Sequence, residues 1–303
     1  MHVKRDDFPG QFPDPLDDPH FNSLVPEARL NRRGFIAGVI AAGFAVTAAP
    51  VLSQAIKTST EGLEAGDIEV TTRLGSIPAY YAVPKGKGKR AVILVMPEIW
   101  GLHEHIKDVC RRLAHKGYFA IANEPYSRIG QLWKLTDIKE VIAGANKLTD
   151  EQAFIDIDGA ADWAGKHKLG AGNKMGITGF CRGGRMVWMY SAYSKRIKAG
   201  VAFYGPFLPT PPAMPLGVLD IADQLKAPVL GLYGGADQGI PLDTVERMRA
   251  ALKAFGKDKQ SMIHVYPDTP HGFNADYRPS YRKEIAEDAW KRAFAWFKSH
   301  GVA

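Results

Sequence analysis

One short segment of the chain has the residue types and spacing of an activated nucleophile. Cys181 lies in Gly-Phe-Cys-Arg-Gly, with Gly179 and Gly183 two residues to either side, after an apolar run and before a helical pattern. In a strand-turn-helix segment of this kind the nucleophile lies on a strained turn, and the glycines let strand and helix approach closely. The positive end of the helix predicted to begin at Arg182 favours a thiolate. The segment predicts a nucleophilic cysteine, with a buried structural cysteine as the alternative.

An acid and a base follow the cysteine in the order that such a nucleophile requires. Asp237 lies in Gly-Gly-Ala-Asp at the end of one apolar run, and His271 lies in Thr-Pro-His-Gly-Phe after the next run. In folds with this nucleophilic turn, the acid and the histidine come later in the chain, in that order. We expect His271 to act as the base for Cys181 and Asp237 to orient it. Asp268 is nearer to His271 in sequence and stays open as an alternative acid.

The remaining composition excludes several other kinds of site. The chain has 2 cysteines, and Cys110 lies in an amphipathic helical pattern, so we expect it in the core. Without a CxxC pair there is no zinc or redox motif, and we expect neither a metal nor another cofactor. The strongest basic run, Lys85–Arg90, contains glycines and no aromatic residues that could stack on bases. It therefore predicts a solvated turn and no nucleic-acid partner.

The first 55 residues differ from the rest of the chain. Residues 1–30 are rich in Pro and Asp, which is typical of a disordered leader. Asn31-Arg-Arg-Gly-Phe-Ile36 then precedes a small apolar stretch, and Ser53-Gln54-Ala55 ends the segment. This pattern is typical of a twin-arginine export signal cleaved after Ala55, and it predicts a periplasmic or extracellular protein. An uncleaved anchor is the alternative, although a membrane span needs about 20 apolar residues.

Residues 56–303 predict one α/β domain, and the 303-residue chain has an ordinary globular composition, 46% hydrophobic and 23% charged. Apolar runs alternate with helical patterns, which indicates a mostly parallel eight-stranded sheet with helices on both faces. The predicted strands are 68–72, 79–83, 90–96, 119–123, 174–178, 199–204, 228–233 and 262–266. The predicted helices are 104–115, 151–167, 182–193, 242–255 and 279–298. We expect residues 130–150 to form an insertion, and 206–215 a proline-rich rim loop, above the strand ends.

Together these segments resemble the dienelactone hydrolase family, whose members include carboxymethylenebutenolidase, over about residues 67–297. The matching segments are Met96–Gly101, Gly117–Tyr126, Gly179–Gly184, Gly235–Asp237 and His271–Phe273. The resemblance implies the α/β-hydrolase fold and cleavage of a small ester or lactone through a thioester on Cys181. It also implies that Glu98 contacts the resting thiol and helps to form the thiolate when substrate binds, with a surface acid as the alternative.

The same resemblance implies further site residues. The oxyanion hole is expected from the backbone N–H groups of Ile99 and Arg182. Family members that act on dienelactone hold its carboxylate with two arginines, and Arg128 fits the first position. The second position is Ala275 here, and the nearest arginine is Arg278, for which a salt bridge or helix cap is an equal alternative. Aromatic residues expected to line the pocket, with core packing as their alternative, are Trp100, Tyr126, Trp133, Tyr204 and Phe207.

Two other functions stay open from the sequence. The protein could be a general carboxylesterase acting on acyl or aromatic esters, or a non-catalytic binding protein whose thiol is merely reactive. We expect a small-molecule partner, no stable membrane span after signal cleavage, and a monomer or small homo-oligomer. Lysines and arginines are interleaved with acidic residues along the chain, so the net charge of +7 indicates solubility rather than a particular partner.

Overall fold

The computed structural model describes residues 56–210 and 212–303. The predicted leader and export signal occupy residues 1–55 and lie outside the described residues. Eight strands form one sheet, as predicted. In chain order the strands are β1 (Leu63–Thr72), β2 (Gly75–Pro84), β3 (Arg90–Met96), β4 (Phe119–Asn123), β5 (Gly170–Phe180), β6 (Ile197–Phe203), β7 (Val229–Gly234) and β8 (Met262–Tyr266).

The sheet is antiparallel at one side and parallel in the rest. Its strand order is β1-β2-β4-β3-β5-β6-β7-β8. Strand β2 pairs antiparallel with both β1 and β4, whereas every pair from β4 across to β8 is parallel. The carboxyl ends of the parallel strands therefore meet at one edge, where ligands of open α/β sheets bind.

Burial along the strands follows their position in the sheet. The central strands β3 and β4 are uninterrupted apolar runs whose residues are buried on both faces, apart from half-buried Arg90. Such runs are typical of parallel strands covered by helices on either side. Edge strand β1 is mostly half-buried or exposed, and it begins five residues earlier than the sequence predicted. The weaker apolar pattern of an edge strand explains why its start was missed.

Six α-helices lie within the described residues, most of them packed on the sheet. They are α1 (Glu104–His115), α2 (Ile138–Ala145), α3 (Asp150–Lys166), α4 (Arg182–Tyr193), α5 (Leu242–Ala254) and α6 (Lys283–Ser299). The bounds of α1 and α4 are those predicted. Helix α3 begins at a capping box in which Thr149 and Gln152 bond each other's backbone N–H, which fixes its start. No helix in this described part of the chain is both long and apolar enough to cross a membrane.

The start of α6 differs from the prediction of residue 279. Residues 275–281 form turns instead, in which the Arg278 N–H donates to Ala275 O at 2.9 Å and the Tyr281 N–H donates to Arg278 O at 3.0 Å. These turns direct the side chains of Tyr277 and Arg278 inward, where both donate to Glu98. A continuous helix over the same residues would leave the buried Glu98 without these partners.

Candidate active site

Cys181 lies on a strained turn between β5 and α4. Its φ of 53° and ψ of −120° fall outside the regions that residues with a Cβ ordinarily adopt. The Cys181 N–H donates to Phe203 O at the end of β6 at 3.1 Å, which fixes the turn to the neighbouring strand. Only 6% of Cys181 is exposed. The structure thus places the cysteine on a tight bend at the carboxyl edge of the sheet, with strain of the kind found at functional sites.

The two glycines around the cysteine are required by close backbone approach. A Cβ on Gly179 would lie 2.4 Å from Gly183 O, and a Cβ on Gly183 would lie 2.2 Å from Met96 O. Both distances are far shorter than van der Waals contact, so any larger residue would push α4 away from β3. As a result, the first turn of α4 lies directly against the segment that follows β3, residues 97–103.

His271 and Asp237 meet in two turns that the main chain holds together. His271 Nδ1 lies 2.7 Å from Asp237 Oδ2, and both side chains are buried. The Ala236 N–H donates to Thr269 O at 3.0 Å, which ties the turn after β7 to the turn after β8. The acid paired with the histidine is therefore Asp237, and not the alternative Asp268.

The imidazole of His271 also hydrogen bonds the side chain of Cys181. Burial disfavours the charged imidazolium, but the negative charges of Asp237 and Cys181 outweigh it and raise the pKa of His271 to about 10. Tyr204, which has an unusual positive φ of 37°, packs its ring 4.8 Å from the imidazole. The arrangement places a histidine oriented by an acid within hydrogen-bond reach of the thiol, as nucleophilic catalysis by cysteine requires.

Glu98 is buried in the segment after β3 and is surrounded by donors. Its Oε1 accepts a short hydrogen bond from the Tyr277 phenol and lies 3.3 Å from His103 Nε2, while Oε2 pairs with Arg278. Burial would raise the pKa of Glu98, but the charge of Arg278 and the hydrogen bonds hold it well below its usual range. The sequence identified neither His103 nor Tyr277. The predicted contact of Glu98 with the resting thiol stays a prediction.

Both predicted substrate-binding arginines already have carboxylate partners. Arg278 pairs with Glu98 and lies over the Tyr277 ring, 5.3 Å from its centroid, which matches the salt-bridge alternative. Arg128 donates from both terminal nitrogens to the two carboxylate oxygens of Asp156, at 2.8 and 2.9 Å. A substrate carboxylate would have to compete with these carboxylates, so the substrate-binding role of each arginine stays a prediction.

Two arginines of α4 attach the segments predicted to lie above the strand ends. Arg182 donates to Asn146 Oδ1 just after α2. Arg185, fully buried, pairs with Asp150 at 2.6 Å and donates to Leu216 O at 2.6 Å. These contacts, together with that of Arg182 to Met214 Sδ at 3.4 Å, bring the end of the insertion and the end of the rim loop onto the helix that follows the cysteine. The sequence did not identify Arg185, because a buried arginine within a predicted core helix gives no sign of its distant partner.

The oxyanion hole was predicted from two backbone N–H groups on either side of a close backbone contact. Within the described part of the chain, neither the Ile99 N–H nor the Arg182 N–H donates to another residue. Arg182 is the first residue of α4, where the N–H has no partner inside the helix. Gly183 brings this turn against Met96 and Pro97, immediately before Ile99. The role of these two N–H groups as oxyanion donors stays a prediction.

The aromatic candidates are mostly buried. Trp100 is 5% and Tyr126 1% exposed, so neither presents a large open surface. Burial raises the pKa of both Tyr126 and Tyr204, and each phenol is influenced by the charges of Glu98 and Cys181. The charges of Glu98 and Cys181 thus act on the same two buried phenols. Phe207, by contrast, stacks on Tyr233 at 4.8 Å and serves as core.

The second cysteine, Cys110, lies in the core and away from Cys181. Cys110 is fully buried in α1, as predicted, and burial raises the pKa of its thiol. Among residues 56–210 and 212–303, no group of three or more His, Cys, Asp or Glu side chains is arranged to hold a metal ion.

Comparison with known proteins identifies the family. Residues 77–301 match the dienelactone hydrolase family. A candidate carboxymethylenebutenolidase from Methylorubrum extorquens is 48% identical over 289 residues, which cover 94% of this chain and 99% of that protein. A candidate carboxymethylenebutenolidase from Escherichia coli K12 is 44% identical over 262 residues, covering 86% and 96% of the two chains. A candidate dienelactone hydrolase from Klebsiella pneumoniae has a crystal structure with 45% identity and a TM-score of 0.75, covering 78% of this chain and 98% of that one. The chain therefore belongs to the dienelactone hydrolase family of α/β-hydrolases, and it is a hydrolase of esters or lactones.

Proposed function

We propose that the protein cleaves a small ester or lactone with a Cys181-His271-Asp237 triad. The observation that supports this most strongly is the strained Cys181 turn, whose side chain hydrogen bonds the histidine that Asp237 orients. A structural cysteine needs neither the unusual backbone conformation nor a buried imidazole with an acid behind it.

The reaction proceeds in two steps through a thioester. In the first, the Cys181 thiolate attacks the carbonyl carbon, the N–H groups of Ile99 and Arg182 bind the oxyanion, and the C–O bond breaks as His271 protonates the leaving oxygen. In the second, His271 takes a proton from water, and the resulting hydroxide attacks the thioester carbonyl. The C–S bond then breaks, which releases the acid and restores the thiolate.

Glu98 has a supporting role in this proposal. The charges of Glu98 and Cys181 act on the same two phenols, which supports a position of the carboxylate near the thiol. Arg278, Tyr277 and His103 keep it ionised. An ionised carboxylate there can take up the thiol proton when a substrate displaces one of its donors, which agrees with the role implied by the family resemblance.

A second candidate is hydrolysis of uncharged acyl or aromatic esters. The observation that favours it is the pairing of Arg128 with Asp156 and of Arg278 with Glu98, which leaves neither cation free for a substrate carboxylate. Comparing kcat/KM for a lactone that bears a carboxylate, its methyl ester and an open-chain acyl ester separates the two candidates. A preference for the carboxylate of more than about tenfold would reject the second.

The test of the proposed function uses the two cysteines as a matched pair. Cys181→Ala should abolish hydrolysis of nitrophenyl acetate, whereas Cys110→Ala should retain turnover, because Cys110 lies in the core. Turnover that survives in Cys181→Ala rejects the triad. Stoichiometric alkylation of Cys181 in a wild-type protein without turnover would instead support the binding-protein alternative.

We also propose that residues 1–55 direct export of the folded protein and are removed after Ala55. Support comes from the paired Arg32 and Arg33 before a short apolar stretch. Replacing both arginines by lysine should retain the protein in the cytoplasm. The mass of the exported chain, measured by mass spectrometry, should correspond to a chain that begins at Ile56. A membrane-bound chain of full length would favour the anchor. Light scattering tests whether the mature chain is a monomer or small homo-oligomer.

A further inference from the structure

A second glutamate, Glu124, is buried beside the same segment as Glu98. It follows β4 directly, is 7% exposed, and its N–H donates to Pro78 O on β2 at 2.8 Å. The side chain crosses from the end of β4 to the segment after β3. Because this hydrogen bond pairs the end of β4 with β2, the main chain of Glu124 is held in place.

The Glu124 carboxylate joins two loops through their main chains. One oxygen accepts the Leu102 N–H at 2.7 Å, and the other accepts the Tyr126 N–H at 2.9 Å. Gly101 has a φ of 74°, and a Cβ there would lie 2.4 Å from Glu124 Oε1, so the carboxylate lies flat against the Gly101 backbone. Both carboxylate oxygens of Glu124 therefore accept hydrogen bonds from backbone N–H groups.

The segment held in this way is the one that carries the Ile99 N–H. The Gly101 N–H donates to Glu98 O at 3.0 Å, which closes a turn around Ile99 and Trp100. Glu124 binds the residue that follows this turn. Moving Leu102 would therefore move the whole turn, and with it the Ile99 N–H.

We propose that Glu124 is a positioning residue for the oxyanion hole, whose ionised carboxylate fixes residues 98–102 so that the Ile99 N–H points at the reacting carbonyl. This inference rests on the proposed function, in which Ile99 supplies one of the two oxyanion donors. Nothing in the proposal requires Glu124 to contact the substrate.

The proposal has a consequence for pH, because an acceptor becomes a donor when the carboxylate is protonated. A protonated Glu124 places an O–H against either the Leu102 or the Tyr126 N–H, and one of these hydrogen bonds is lost. Burial raises the pKa of Glu124 to about 7, against the opposing effect of the two N–H donors and the charge of Lys107. The carboxylate therefore becomes protonated as the pH falls below neutrality.

The charged and polar groups that face Glu124 come from several elements. Strand β2 contributes only the Pro78 carbonyl, α1 contributes the Lys107 ammonium, and its own loop contributes Tyr126, whose pKa is raised by burial. In the segment after β3, Glu98 has a pKa held well below its usual range. His271, with a pKa near 10, stays protonated on the acid side of neutrality. Burial lowers the pKa of His103, which faces Glu98, below 6.5, so a loss of rate centred near pH 7 reports Glu124 rather than His103.

The test compares Glu124→Gln with wild type, using nitrophenyl acetate monitored at the isosbestic wavelength of nitrophenol. The glutamine amide imitates the protonated acid at every pH, so kcat should fall about tenfold to a hundredfold at pH 8, with little change in KM. Wild-type kcat should fall as the pH drops from 8 to 5.5, whereas that of Glu124→Gln should stay low and flat. Glu246→Gln on the exposed face of α5 is the matched control and should follow wild type.

A variant that keeps the charge guards against a folding defect. Glu124→Asp retains an ionisable carboxylate that is one methylene too short to reach both N–H groups. It should lose rate and keep an acid limb, which a merely structural role would not produce.

Three results would overturn the inference: wild-type kcat and pH profile in Glu124→Gln, an acid limb that persists in that variant, or a flat wild-type profile between pH 5.5 and 8. Measuring Cys181→Ala in the same assay distinguishes failure of the proposed function from failure of the inference about Glu124. Turnover in that variant rejects the proposed function together with the inference, whereas a wild-type profile in Glu124→Gln rejects the inference alone.

Discussion

Two buried glutamates, Glu98 within residues 98–102 and Glu124 against that segment, show how one residue type can serve two purposes. Glu98 faces an arginine, a phenol and a histidine, and its pKa is held well below the usual range. Glu124 faces two main-chain N–H groups and no cation at hydrogen-bond distance among the described residues, and its pKa rises to about 7. A cationic partner makes a buried charge permanent, whereas amide donors alone leave the charge dependent on pH. The first arrangement keeps its carboxylate ionised around neutral pH, and the second makes the proposed hold on residues 98–102 depend on pH.

The largest expected effect comes from removing the cation on which this contrast depends. Arg278→Met leaves Glu98 buried without its counter-charge, and this should lower the free energy of unfolding by about 3 to 5 kcal/mol. Urea unfolding at pH 7 measures the loss, and the double variant Glu98→Gln/Arg278→Met should recover much of it. A loss below about 1 kcal/mol in the single variant would mean that the pair is not the main source of Glu98 ionisation.

The next effect concerns the pH dependence of stability. Because the folded-state pKa of Glu124 is raised from 4.5 to about 7, its contribution to stability is fully present below pH 4.5 and is lost as the pH rises through 7. Wild type should therefore lose about 3 kcal/mol relative to Glu124→Gln between pH 4.5 and 8. Urea unfolding of both proteins at the two pH values measures this difference.

The contribution of Glu98 to stability should, by contrast, be nearly constant between pH 4.5 and 8. Its folded-state pKa is lowered, so its contribution is present above pH 4.5 and changes little up to pH 8. Equal slopes of stability against pH for wild type and Glu124→Gln would contradict the titration assigned to Glu124.

The smallest effect sharpens the description of the Glu98 site. Tyr277→Phe removes one hydrogen bond to a charged carboxylate and leaves Arg278 in place, which should cost about 2 kcal/mol of unfolding free energy. The cost should be smaller than that of Arg278→Met in the same urea experiment. A larger cost for Tyr277→Phe would make the phenol, rather than the guanidinium, the principal partner.

The sequence predicted those features that depend on neighbouring residues. Gly179, Cys181 and Gly183 specify a tight turn through local sterics, and uninterrupted apolar runs identify the central strands. The same holds for α4, whose start follows from the end of that turn. The order of nucleophile, acid and histidine along the chain then predicted which side chains would meet at the edge of the sheet.

The features that the sequence did not identify depend on contacts between distant residues. Tyr277 and Glu98 are 179 positions apart, and Arg185 and Asp150 are 35 apart. Glu124 was part of a segment resembling the family, but its two acceptor contacts depend on the paths of both loops. No local pattern distinguishes a charged residue that will be buried from one that will be solvated, because burial is decided by which strands become neighbours.

Trapping the acyl-enzyme tests most directly whether Cys181 is the nucleophile. Wild-type protein is mixed with nitrophenyl acetate, quenched in acid during turnover, digested and analysed by mass spectrometry. The acetyl group should be found as a thioester on the peptide that contains Cys181, should disappear with hydroxylamine, and should be absent from Cys181→Ala. An acetyl group on any other residue during turnover, or steady turnover with Cys181 never acylated, would contradict a thioester mechanism.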